Sequence, residues 1–82
     1  MKNSNIYDSV ISEVLVFKTN VSSDDELAKV GDLLLTEKKI TRWNIDRDDI
    51  DNVLRIECDQ LQPWAVVKLL KDGGFECEEL PD

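Results

Sequence analysis

Histidine is absent from the chain, and with it go the commonest general base and the commonest metal ligand. Cysteine occurs only as Cys58 and Cys77, each alone in an alternating apolar segment, which is the pattern of small buried hydrophobes with reduced thiols. No stretch approaches the roughly 18 apolar residues of a membrane span. The opening "MKNSNIYDSVIS" holds no apolar core long enough for a signal peptide, so we expect a cytosolic protein. Basic residues are few, ten against eighteen acidic, and the formal charge of −8 argues against a nucleic-acid or membrane-surface role. A glycine-rich phosphate loop and Ser-Lys or Cys-His constellations are also missing, so nothing supplies a nucleophile with its base and we expect no enzyme.

What remains is one small domain of 82 residues. A chain of this size buries roughly 60% of the surface that its unfolded form exposes, which leaves one modest core. "EVLVFKT", Glu13 to Thr19, is a β-branched and aromatic run suited to a central strand. A capping signature follows: the Ser23 hydroxyl is placed to accept from the Glu26 N–H, while the Glu26 carboxylate reaches back to the N–H of Ser23. Asp24 and Asp25 add negative charge at the positive end of the helix.

Leu27, Val30 and Leu34 recur at helical spacing, Leu33 and Leu35 broaden the stripe, and Gly31 allows close approach from beneath, with the helix ending near Thr36. "ITRWNID" (Ile40 to Asp46) and "VLRIEC" (Val53 to Cys58) alternate as strands across a polar hairpin. Gln62, Pro63 and Trp64 open a second helix whose stripe is Val66, Val67 and Leu70, and "DGG", Asp72 to Gly74, stops it. "FECEEL", Phe75 to Leu80, reads as a short last strand.

The order β-α-β-β-α-β predicts an α+β, ferredoxin-like sandwich over 13–82: a four-stranded antiparallel sheet of order 4-1-3-2 with both helices on one face. Residues 1–12 are expected to form a partly ordered or strand-extending extension. Cys58 and Cys77 then flank the first strand about 9–10 Å apart. That exceeds the roughly 7 Å limit between Cα atoms for a disulfide, so none is expected.

"QPWAVVKLLKDGGFECEEL" and "ITRWNID" resemble the heavy-metal-associated domain of copper chaperones and metal-transporting ATPases, a likeness that covers most of Val14 to Leu80. The resemblance implies this same fold and a Met-x-Cys-x-x-Cys metal loop after the first strand. Registering the helix on "AKV" puts Val21 at the methionine and Ser23 and Glu26 at the two cysteine positions, so both thiolates for a soft ion are missing. We therefore expect neither a metal site nor another cofactor. Asp46, Asp48, Asp49, Asp51 and Glu57 invite comparison with a calcium loop, but Ile50 stands at the fifth position, Asp51 replaces the turn glycine, and strands replace the flanking helices.

If Leu15 and Phe17 face the helices, then Val14, Val16 and Val53 form an outward apolar patch ringed by Arg42, Arg55, Glu57, Glu76 and Glu78, either a partner surface or an ordinary half-exposed sheet. Trp64 is an interface residue or, as we expect, packs down over Leu61 and the N-terminal segment. "EKKITR", Glu37 to Arg42, is the one basic cluster. The expectation is a non-catalytic module acting through protein contacts or self-association. The alternatives are a dimeric small-ligand sensor, or residual metal binding through acidic residues assisted by Cys58 or Cys77.

Overall fold

Burial alternates along the first strand, β1 (Glu13–Thr19), where Phe17 and Thr19 are inside and Lys18 is outside. The computed structural model describes residues 13–81, so the expected extension over 1–12 lies outside the described residues. β1 is followed by α1 (Asp24–Leu35), β2 (Ile40–Asp46), β3 (Val53–Cys58), α2 (Pro63–Asp72) and β4 (Cys77–Glu79). The sheet order is β2-β3-β1-β4 with every pairing antiparallel, an α+β ferredoxin-like fold with the predicted topology.

The core lies between the sheet and the two helices. Phe17, Leu54 and Ile56 come up from β1 and β3, and Val30, Leu34, Val66 and Leu70 come down from the helices, all at or near zero exposure. Gly31 brings α1 close to the sheet, since a Cβ there would stand 3.3 Å from Trp43 Cζ2. Leu33 packs onto Gly73, where an added Cβ would overlap its terminal methyl and oblige that side chain to shift.

α2 ends in a Schellman motif. The Phe75 N–H donates to the Leu70 carbonyl at 2.9 Å and the Gly74 N–H to the Lys71 carbonyl at 3.0 Å, with Gly74 left-handed at φ 93° and Phe75 and Leu70 both buried. This cap consumes Phe75, which explains why β4 begins at Cys77 and not at Phe75 as the alternation implied. In β2, Thr41 is an extra residue between Ile40, opposite Cys58, and Arg42, opposite Glu57. Its Oγ1 donates to the Glu57 carbonyl at 3.0 Å, and the bulge returns Ile40, Trp43 and Ile45 to the core side.

Three expectations are corrected. Leu35 is 81% exposed, because it lies a further ~100° round α1 from Leu34. Trp64 is 66% exposed and so is not packed down as expected; it sits about 200° round α2 from the buried Val66, and its expected contact with the N-terminal segment lies outside the described residues. Cys58 lies beside Glu13 and Cys77 beside Thr19, at opposite ends of β1, so they are separated by about 20 Å along the strand as well as across it. Both thiols are free.

Gly74→Ala should lower stability by about 1 kcal/mol through its left-handed φ alone, since open space surrounds the added methyl. A fall of about 4–8 °C in the thermal midpoint checks this, and Gly74→Asn should lose less.

Candidate functional site

The chain between β1 and α1 is held from three directions. Thr19 points inward by strand parity and is the one buried polar side chain among the described residues. Its Oγ1 donates to the Asn52 carbonyl at 2.7 Å and accepts from the Val21 N–H at 3.3 Å, while its own N–H donates to the Asp51 carbonyl at 3.0 Å. Asn20 Oδ1 accepts from the Glu76 N–H at 2.9 Å, joining the loop to the start of β4. Arg47 of the β2–β3 hairpin reaches Asp24 at 2.8 Å. Thr19 and Asn20 were not singled out from sequence, although an inward hydroxyl two residues after Phe17 is the signal that would have marked Thr19.

Within this frame Val21 is fully buried and Ser23 and Glu26 occupy each other. The Glu26 N–H donates to Ser23 Oγ at 3.1 Å; in return Glu26 Oε1 accepts from the N–H groups of Ser22 and Ser23 at 3.0 and 3.2 Å, and from the Ser22 hydroxyl at 3.3 Å. These bonds hold the Glu26 carboxyl below its ordinary value, the Ser22 N–H most strongly and the Ser23 N–H next.

Neither cysteine is in this loop: Cys58, on β3, lies at the far end of β1, and Cys77 on β4 pairs with Thr19. Burial raises the Cys58 thiol, and burial pushes Cys77 up to about 11 against a partial lowering by Lys71, so both are protonated and unreactive near neutrality. The hairpin carboxylates are used locally: Asp46 Oδ1 accepts from the Asp48 N–H at 3.1 Å and Asp49 Oδ1 from the Asp51 N–H at 2.9 Å. Among the described residues no three Cys, Asp or Glu side chains converge as a metal-holding group.

The sheet face away from the helices carries Val14, Val16 and Lys18 from β1, Val53, Arg55 and Glu57 from β3, and Arg42, Asn44 and Asp46 from β2. Val14 is 46% exposed; Val16 and Val53 are half-buried. Arg42 stands 4.0 Å from Glu57, an exposed pair of small energetic value. Leu80, absent from the sequence-based patch, adds to it: its N–H donates to the Val16 carbonyl at 2.9 Å and it lies across from Val16. Glu76 precedes β4 and borders the Asn20 loop, and Trp64, on α2, is remote from this face.

No family model matches the chain, and no curated protein does. Solved structures do. The copper transporter domain Ccc2a of yeast, solved in apo and Cu(I)-loaded states, superposes with a TM-score of 0.71 at 18% identity over 84% of this chain and 96% of that one. Oxidized MerP from Ralstonia metallidurans CH34 gives 0.73 at 7% identity over 87% and 100%, and the metallochaperone CsoZ gives 0.69 at 12% over 82% and 97%. The chain therefore has the fold of these three structures, as the resemblance implied. No helix among the described residues is long and apolar enough to cross a membrane.

Ser23→Ala should cost about 1 kcal/mol, seen as a lower urea midpoint. Glu26 has a folded value depressed below 4.5, so its contribution to folding is present above that pH and is lost as pH falls through the lower, folded value. Glu26→Gln, which keeps an acceptor oxygen but cannot titrate, should flatten the acid limb of the stability curve below pH 4.5.

Proposed function

We propose that this chain is a non-catalytic protein-interaction module that keeps the heavy-metal-associated fold without that family's metal site. The mutual capping of Ser23 and Glu26 carries this reading. At the position after β1, where the family's loop holds its ion, the Ser23 hydroxyl accepts from the Glu26 N–H, and Glu26 Oε1 accepts from the N–H groups of Ser22 and Ser23 and from the Ser22 hydroxyl. The same groups lie at the positive end of α1, which disfavours a cation. The donor set does not fit a soft ion, because both thiols are buried in the sheet, outside this loop.

On this reading the loop carries no ion, and among the described residues the feature best suited to function is the outward face. Val14, Val16 and Leu80 lie together on β1 and beyond β4, Val53 sits diagonal to Val16, Arg55 stands beside Val16 within the face, and Arg42, Glu57, Lys18 and Glu78 form a rim of both signs, the composition of a small contact surface of mixed polarity. The rim alternates in sign and is not uniformly acidic, which favours a protein surface of mixed charge over a polyanion or a lipid headgroup layer.

Backbone amide shifts followed during titration of the reduced protein with Cu(I), Zn²⁺ and Ca²⁺ test the metal half. The amides of Val21 to Leu27 should not move up to millimolar ion, and saturable shifts at micromolar ion would overturn it. For the interaction half, a partner retained by the immobilised chain should be lost with Val14→Glu while circular dichroism and the thermal midpoint hold. Retention unchanged by Val14→Glu would remove the sheet face from the proposal.

A further inference from the structure

β2 is an edge strand that pairs, among the described residues, with β3 alone. One hydrogen bond and the alternation of an antiparallel ladder fix which of its backbone groups face outward. The Leu80 N–H donates to the Val16 carbonyl at 2.9 Å, so the polar groups of Val16 face β4, and those of Leu15 and Phe17 face Ile56 and Leu54 on β3. Arg55 then turns its groups to Asn44 on β2, which leaves the N–H and C=O of Trp43 and Ile45 directed away from the sheet.

Two outward residues flanking an inward one suit a two-fold antiparallel pairing with Asn44 opposite its own copy. In that register Trp43 of one copy exchanges hydrogen bonds with Ile45 of the other, twice over. The charges along β2 fit the same axis. Lys38, Lys39 and Arg42 lie at one end beside Glu37, while Asp46, Asp48 and Asp49 lie at the other, where Arg47 is taken up by Asp24 at 2.8 Å. Reversing one strand against its copy lays the basic end on the acidic end at both ends, with the exposed Arg42 opposite the exposed Asp46 on the outer face.

The exposed apolar residues agree. A depression of about 240 Å³ between α1 and β2 is lined by Leu35 and Ile40, and the antiparallel register carries Ile50, 94% exposed on the hairpin, toward it from the second copy. Charges on an edge strand also serve to block pairing with other chains. Blocking needs no symmetry, whereas Arg42 and Asp46 stand equally far on either side of Asn44 with opposite sign.

We infer that two copies of this chain pair through their β2 edges about Asn44, registered by Arg42 of each against Asp46 of the other. The pairing does not depend on whether the sheet face takes a second protein, and its test leaves Val14 and Val16 untouched. Each chain carries −8, so association works against a long-range repulsion.

Sedimentation velocity of the full chain from micromolar to millimolar concentration should show a species of twice the 9.4 kDa chain mass. Arg42→Glu and Asp46→Arg should each weaken it by at least about tenfold. An equimolar mixture of the two variants should recover it, because their charges then complement one another, and so should the double variant. A wild-type chain that stays monomeric throughout overturns the inference, as does a dimer indifferent to both substitutions. Should neither variant fold, hydrogen exchange of the wild type decides. Trp43 and Ile45 amides that become protected only at dimer-forming concentration support the pairing, and fast exchange of both at every concentration overturns it.

Discussion

The structure depends on the two-sided pairing of β1. It is bonded to β3 on one edge and to β4 on the other, so its register sets the faces of the whole sheet, and a slip of one residue would exchange Phe17 with a charged neighbour. Thr19 is the stop against that slip. A buried hydroxyl needs a partner, and the Asn52 carbonyl satisfies it in this register. Asn52 can offer that carbonyl because its own backbone is left-handed, φ 44°, a conformation asparagine adopts more readily than most residues.

From that stop the chain turns into the loop between β1 and α1. Metal capture after β1 would need ligands that are deprotonated and free. In this chain the deprotonated group, Glu26, is committed to the N–H groups of Ser22 and Ser23, and Val21 is anchored in the core. The bonds that stabilise the carboxylate all fall on Oε1 and occupy that oxygen. Stability of the helix terminus and availability to an ion are therefore opposed at Oε1.

Most of the fold was legible because each element carries local chemistry that agrees with its packing: Pro63 at the first turn of α2, a glycine at its left-handed stop, and Ser23 with Glu26 at the start of α1. Where the sequence misled, a residue served two elements. Phe75 looks like a strand residue and is used by the helix cap, which shortens β4. Thr41 is invisible to strict alternation because a bulge absorbs it. Leu35 and Trp64 are large and apolar yet fall outside the stripes, and a residue's angle round a helix depends on where the stripe is centred, which only packing fixes. The outward face was legible once strand parity was known. Thr19 and Asn20 escaped notice because their partners are backbone groups far along the chain.

The pairing of β1 with β4 also bears on synthesis. Residues 77–79 close the free edge of a strand made some sixty residues earlier, and the Glu76 to Asn20 bond spans a separation of 56. On the ribosome, β1, β3 and both helices emerge before β4 covers that edge. Until Cys77 appears, Lys18 sits on the open strand, a charged residue of the kind that discourages pairing with a neighbouring nascent chain. A residue that in the finished molecule serves as part of a solvated rim thus stands guard during the interval when the sheet is still incomplete.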